Sequence, residues 1–351
     1  MVKSRSVIAT PPGATIKEQL MDRGMSQKEF AIRMELSEKH ISKLVNGEVQ
    51  LTPDVAVRLE MVLGIPAQFW SNLEAIYREK LVKAEYENKM DADVELAKDF
   101  PYSEMSKHNW VPATKKTEEK VLYLRKFFEV TDLSLLQKND LIPRIACRRL
   151  SITEKSDTAL IVWAQQAKLA SRSVPTAPIN LKKLERSIPE IRSMTIMDPN
   201  IFCKRLVNLL SSCGIALVFL PHMKGSFLHG ATFYDGNKIV IGLTVRGKDA
   251  DRFWFSLFHE LGHILLGHVG NVNGTSDEEE TAADSFARET LIPQKQFNIF
   301  VVQNDFTKPS ILLFSKLVEI APGIMVGRLQ KEGYIPYSWY NDLKTKYEIC
   351  T

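Results

Sequence analysis

The segment Phe258–His268 reads FHELGHILLGH, and its spacing restricts the fold more than any other stretch of the chain. His259, Glu260 and His263 fit the pattern H-E-x-x-H. On an α-helix, at about 100° per residue, the two histidines lie about 40° apart and one turn apart, so both imidazoles can reach one metal ion. Glu260 is adjacent and positioned to take a proton from a metal-activated water and return it to a leaving amine. This segment is therefore expected to be a helix, and the site needs a third protein ligand.

Two places offer one. His268 follows on the same segment. On a continuing helix it would point about 140° away from His263, and Gly267 marks a possible helix end, so a capping or packing role suits His268 better. The second candidate lies in TSDEEETAADSFARETLIP, residues 275–293. Ser276 and Glu279 form a capping box that starts a second helix. Glu280 falls in its first turns, with Asp284 one turn later on the same face. Glu280 is expected to bind the metal and Asp284 to hydrogen-bond a ligand histidine and fix its tautomer. An acidic helix start explains Glu278 and Glu279 by the helix dipole alone. Ala282, Ala283 and Ala287 are small enough for close packing of the two helices.

Upstream, residues 215–243 hold short β-branched and aromatic runs (GIALVFLP, SFLHGATFYDG, NKIVIGLTV), with Asp235-Gly236-Asn237 as a hairpin turn. His229 is expected on one of these strands, next to Gly230. It could donate to an oxyanion from the sheet edge, or be a packing histidine. The fold class expected is α+β: mainly α, with a small antiparallel β-sheet. Its domains are residues 1–88, a helical middle segment or linker 89–198, a core 199–292, and a C-terminal helical part 293–351.

The first 88 residues read as an all-α helix-turn-helix domain. TIKEQLMDRG stops at Gly24, Ser26 with Glu29 opens a second helix, Ser37 opens a third that stops at Asn46-Gly47, and Thr52-Pro53 opens a fourth that ends at Gly64. A fifth helix spans 66–88. The third helix would present Ser37, Glu38, Lys39, His40, Ser42 and Lys43 to the major groove. Charge argues for restraint. Net charge is +4 over the chain but zero over residues 1–88, with +6 over 89–214 and −2 over 215–351. Since Lys and Arg supply most non-specific DNA affinity, a protein-binding helical domain is the competing explanation. In the middle segment, Val121, Leu124, Phe127 and Phe128 mark one amphipathic helix. Ser156 caps another, and residues 173–181 are an exposed connection. The basic run Arg144, Arg148 and Arg149 is read as a solvated helix face, with contact to phosphates or to an acidic partner as the alternative.

Four cysteines without C-x-x-C spacing read as reduced thiols. With no secretion signal and no apolar run long enough to span a bilayer, a cytoplasmic protein without membrane contact is expected.

Three runs in residues 12–77 carry a family resemblance: S-Q-x-E-x-A at 26–31, I-S-K-L-V-N-G at 41–47 and F-W-x-N-L at 69–73. This part resembles the XRE-type helix-turn-helix of HigA-family antitoxins. Glu35 stands where that family often has glycine, and a positive φ there would cost up to about 1–2 kcal/mol. Residues 200–292, with HGATFY, FSLFHELGHILLGH and EETAADSFARETLIP, resemble the ImmA/IrrE metallopeptidases. The second resemblance implies a gluzincin-like Zn2+ endopeptidase with His259, His263 and Glu280 as ligands and Glu260 as catalyst. Its substrate would be a protein partner, a repressor or antitoxin. The first implies operator DNA bound by a homodimer. The alternative is a HigA-type antitoxin that binds operator DNA and a HigB-type toxin, with a non-catalytic peptidase-like domain.

Overall fold

The computed structural model describes residues 2–3, 7–88, 90–137, 155–224, 229–244, 249–270 and 275–348. The basic run Arg144, Arg148 and Arg149 lies outside them. The chain forms two compact units, Met1–Glu95 and Leu96–Thr351.

The first unit opens with two-residue strands β1 (Val2–Lys3) and β2 (Ile8–Ala9), paired antiparallel. The all-α expectation for this unit omits that pair. Five helices follow: α1 (Gly13–Asp22), α2 (Gln27–Arg33), α3 (Glu38–Asn46), α4 (Pro53–Leu63) and α5 (Ala67–Asn88). Their starts are chemical. Ser26, Ser37 and Thr52 each accept a hydrogen bond from the backbone N–H three residues on, which satisfies a donor left without a helical partner. Only half of the capping box forms at α2, because the Glu29 carboxylate accepts from Arg33 instead, at 2.7 and 3.0 Å. Gly47 (φ 74°) and Gly64 (φ 67°) end α3 and α4 in the left-handed region. Glu35 takes the same kind of conformation in the turn between α2 and α3, at φ 52°. Ile16, Phe30, Ile41, Leu59 and Trp70 form the core beneath these helices. Gly13 lies close against α3: a Cβ there would lie 1.9 Å from the Val45 carbonyl oxygen.

Helix α6 (Met90–Ala97) carries the chain across the boundary at Glu95, and the second unit then runs through α7 (Tyr102–Lys107), α8 (Thr117–Phe128), α9 (Lys155–Ser171), α10 (Leu181–Ser193) and α11 (Pro199–Ser211) into a sheet of β3 (Ile215–Phe219), β4 (Gly230–Asp235) and β5 (Lys238–Leu243). Val121, Leu124, Phe127 and Phe128 of α8 are all buried. Within the described residues α9 runs from Lys155, so Ser156 lies inside the helix and not at its N-cap.

The unit is α+β, as its pattern suggests, but its sheet is mixed rather than antiparallel. Strand order is β3-β5-β4, with β4 and β5 antiparallel and β3 parallel to β5. After β3 the chain re-enters the sheet on the far side of β5. The hairpin at Gly236 then brings β5 back beside β3 in the same direction. As the central strand, β5 is buried along almost its whole length. Gly242 leaves room for Trp163 of α9, whose ring would lie 2.6 Å from a Cβ at that position. Ile239, Ile241 and Leu243 belong to the opposite face by the two-residue period. They join the main core with Trp254, Phe258 and Leu261.

Those three residues lie on α12 (Ala250–Leu265). The chain continues through α13 (Asp277–Leu291), α14 (Gln294–Val302), α15 (Lys308–Leu317) and α16 (Pro322–Lys331). Helix α13 is packed on α12 most extensively, and α16 also rests against α12. Gly262 permits the close approach: a Cβ there would meet Ala283 at 3.3 Å and the Phe286 ring at 3.1 Å. Among the described residues, no single helix is long and apolar enough to cross a membrane.

Candidate metal centre and helix-turn-helix face

Helix α12 carries His259, Glu260 and His263, and α13 carries Glu280 and Asp284. The capping box expected at Ser276 and Glu279 is present in full, and it fixes where α13 begins. Glu280 therefore emerges in the first turn, facing the two histidines. The donor atoms of His259, His263 and Glu280 all lie within 4.8 Å of one another. The His259 and His263 Nε2 atoms are 3.0 Å apart, and the Glu280 oxygens lie 3.3 and 3.5 Å from them. Zinc bound at about 2.0–2.1 Å to tetrahedral ligands would separate them by roughly 3.3 Å. Two imidazoles and one carboxylate at these separations fit the ligand spacing of a zinc ion.

The outward nitrogens of both rings are also engaged. His259 Nδ1 lies 2.8 Å from Asp284 Oδ1, and His263 Nδ1 lies 3.1 Å from His268 Nδ1. The two placements explain the third histidine of FHELGHILLGH. Gly267, at φ 78°, turns the chain out of α12. The His268 N–H then bonds the His263 carbonyl at 2.9 Å and the Gly267 N–H bonds Ile264 at 3.3 Å, a Schellman ending. The ring of His268 is thereby folded back onto the far side of His263. Burial and the neighbouring His263 hold its pKa below the ordinary value. That favours a neutral ring able to accept the Nδ1 proton of His263.

The electrostatics follow from crowding. Burial alone would lower His259, but Asp284, Glu280 and Glu260 outweigh it, and the ring is pushed up to about 10. Burial alone would raise Glu280; hydrogen bonds from His259, His263 and Thr275 hold it well below the usual carboxylate range. Glu260 is buried, and that burial raises its pKa against the pull of His259 and a Thr232 hydrogen bond. Raised pKa values in buried carboxyls suit a group that takes and gives protons near neutrality.

Strand β4 completes the surroundings of Glu260. Thr232 Oγ1 donates to Glu260 Oε2 at 2.5 Å, and a Cβ on Gly230 would lie 2.8 Å from Glu260 Oε1. Gly230 and Thr232 share a strand face by the two-residue period. Both lie in the HGATFY run, but the sequence assigned neither a role. The signal available was a glycine and a threonine two apart on a strand preceding the motif helix. His229, just before β4, accepts from the Thr244 N–H through its carbonyl at 3.0 Å. It lines a cavity of about 430 Å³ that Asp284 also borders.

In the first unit, Ser37, Glu38, Lys39, Ser42 and Lys43 are exposed along α3 and His40 is half-buried. The Ser37 hydroxyl is committed to capping, accepting from the His40 N–H at 3.2 Å. Ile41 and Leu44 point into the core. The exposed face thus carries polar side chains over the first turns of the second helix of the pair.

Comparison with known proteins places both parts. A helix-turn-helix family profile matches residues 16–70, and the profile of the IrrE N-terminal-like domain matches residues 213–307. Over 63 residues the chain is 40% identical to an uncharacterized HTH-type transcriptional regulator, YddM, of Escherichia coli (strain K12), covering 18% of this chain and 67% of that protein. The chain belongs to the helix-turn-helix family and carries an IrrE N-terminal-like domain. The helix-turn-helix part is also similar to a solved addiction module antidote protein of a HigA family from Coxiella burnetii. That match is 26% identical and covers 24% of this chain and 92% of that one, with a TM-score of 0.22. The metal-ligand candidates, Glu260 and Thr232 all fall inside the IrrE-like match. Arg328, beyond it, ties α16 to the preceding helices by donating to the Ile292 carbonyl and stacking 3.9 Å over the Phe297 ring.

Proposed function

We propose that this helix-turn-helix protein is a transcriptional regulator whose IrrE-like domain is a zinc-dependent endopeptidase acting on a protein partner, a repressor or an antitoxin. One observation carries the reading: His259, His263 and Glu280 converge on one point with their donor atoms within 4.8 Å, while Glu260 is buried beside them without being one of the three. A site that only needed a metal for structure would need ligands but no neighbouring base.

Bound zinc would polarise a peptide carbonyl and make a water acidic enough to be deprotonated near neutral pH. The chain's own residues do the rest. Glu260 accepts the proton of the attacking water and hands it to the departing amine. Thr232 holds the Glu260 carboxylate in place from the strand. Asp284 and His268 fix the orientation of His259 and His263. His229, on the lip of the cavity, is the candidate donor to the developing oxyanion.

The helix-turn-helix domain is read as binding operator DNA through α3, as a homodimer on a two-fold site. The runs at 26–31, 41–47 and 69–73, which resemble those of HigA-family antitoxins, favour a second reading, in which the chain neutralises a HigB-type toxin and the IrrE-like domain only binds. Incubating the zinc-loaded full chain with candidate repressors and antitoxins, beside Glu260→Gln, decides between them. Cleavage by wild type and not by the variant is expected. Identical lack of cleavage in both across all partners would remove the enzymatic reading.

A further inference from the structure

We infer that the cavity between α12, α13 and α16 binds a carboxylate-bearing segment of the protein substrate, with Arg288 as its main contact. The inference rests on the peptidase reading above and names the substrate chemistry that reading leaves open. The cavity measures about 430 Å³; Asp284, which contacts His259, borders it, and His229 lines it as well. Its size falls in the range of pockets that enclose small ligands or a few side chains, roughly 300–1,000 Å³.

Three residues of α13 define its direction. Glu280, Asp284 and Arg288 follow one another at steps of four and so share one face of the helix. Glu280 faces the cluster, Asp284 holds His259, and Arg288 comes next, on the cavity wall. Phe255, Leu291 and Ile324 give the cavity its apolar lining.

Most charges around the cavity are already matched. Asp251 Oδ2 pairs with Lys344 at 2.9 Å with both side chains nearly buried, its Oδ1 having no hydrogen-bond partner among the described residues, and Arg328 pairs with Glu332 at 2.8 Å. Asp284 is bound to His259 at 2.8 Å, and Arg252 lies 3.8 Å from Asp249. Two cations are left over. Arg288 is half-buried and Lys331 is exposed at the rim, and neither side chain has an ion-pair or hydrogen-bond partner among the described residues. A guanidinium on the cavity wall with no acceptor among the described residues has its donors available to a ligand. A carboxylate is its best complement, because the planar fork and the two oxygens match in geometry and charge. The apolar wall favours an aliphatic or aromatic side chain next to that carboxylate. The carboxylate could be an acidic side chain or the substrate's own C-terminus.

The test uses the full chain as Glu260→Gln, loaded with zinc so that it binds without cutting. Three acetylated, fluorescein-labelled hexapeptides are compared by fluorescence anisotropy. One has a central Leu-Glu and an amidated end, one Leu-Gln and an amidated end, and one Leu-Gln and a free C-terminus. A carboxylate peptide is expected to bind on the order of tenfold more tightly than the neutral one. Preference for the first or the third peptide tells side chain from terminus. Adding Arg288→Gln should cut the preference to about twofold or less, with melting temperature and zinc affinity unchanged, because Arg288 has no partner to lose. Equal binding of all three peptides, binding of none, or a preference that survives Arg288→Gln overturns the inference. Failure of the peptidase reading shows separately, as absence of cleavage by the wild-type chain, because charge preference is read on protein that cannot cut.

Discussion

Asp284 grips His259 from behind: its Oδ1 lies 2.8 Å from Nδ1, while Nε2 of the same ring faces Glu280 at 3.3 Å. The carboxylate keeps the ring proton on Nδ1 and leaves the Nε2 lone pair for a metal. Asp284→Ala is expected to weaken zinc binding about 10–100-fold, read by competition with a chromophoric chelator. His268→Ala, which frees the far nitrogen of His263, should act in the same direction. Unchanged zinc affinity in both variants would strip these residues of an orienting role.

Zinc binding should be strongly pH-dependent. In the metal-free protein His259 is pushed up to about 10, against an ordinary value of about 6.5, so its ring is cationic at neutral pH. The metal must displace that proton. Calorimetric titration with zinc near pH 7.5 in two buffers of different ionisation enthalpy is expected to show release of about one proton or more per ion. The sign for stability is the reverse of a carboxylate's. A raised histidine pKa stabilises the metal-free fold fully below about 6.5, and that contribution fades as pH rises through about 10. The melting temperature of the chelated protein should fall across this window, and that of the zinc-loaded protein should not follow it. Binding without proton release would show that His259 is already neutral.

Thr232 donates to Glu260 at 2.5 Å inside a buried site. Loss of a hydrogen bond to a charged group costs about 1.5–3 kcal/mol, equivalent to roughly a 10–100-fold slower chemical step. Thr232→Val should therefore lower kcat with little change in KM or in zinc affinity, and Thr232→Ser should restore most of it. Equal rates for the valine and serine variants would show that the hydroxyl is idle.

Two positions in the first unit should respond in opposite directions. Gly13→Ala forces a Cβ to within 1.9 Å of the Val45 carbonyl oxygen, a backbone collision that no rotamer relieves. A loss of about 3 kcal/mol or more is expected in urea unfolding. Glu35→Gly removes a side chain from a left-handed residue at φ 52° and should stabilise the unit by about 1 kcal/mol or less. The Glu35 contact to Arg58 is too exposed to offset this gain.

Lys39 and Lys43 are exposed on the face of α3. If they neutralise phosphates, Lys39→Ala and Lys43→Ala should each weaken operator binding and flatten its salt dependence by about one ion. The measurement is an affinity series over salt concentration. An unchanged slope would point to a protein-recognition role for a domain whose net charge is zero over residues 1–88.

The parts that sequence foretold were those governed by local rules. Caps at Ser26, Ser37, Thr52 and Ser276, glycine stops at Gly47 and Gly64, and the helical spacing of His259 and His263 all act within a few residues. Glu280 could be placed because the capping box fixes where α13 starts. What escaped depended on contacts distant in the chain. The parallel pairing of β3 with β5 requires knowing which side of the sheet the chain re-enters. The Thr232–Glu260 bond joins residues 28 positions apart. The fit of Gly13 against Val45, the burial of Trp163 beneath Gly242 and the turning of His268 onto His263 likewise depend on tertiary placement that no short pattern encodes.

The three ligand candidates come from a pair of helices, whereas Glu260 is steadied by a hairpin. Loss of the hairpin's grip would leave an ion held and the chemistry gone. A sequence in which β4 drifts while α12 and α13 stay fixed would still fold around zinc and still seat a peptide. On the proposed peptidase reading, such a chain would keep its partner and stop cutting it, only a few strand substitutions separating a cutting protein from an adaptor.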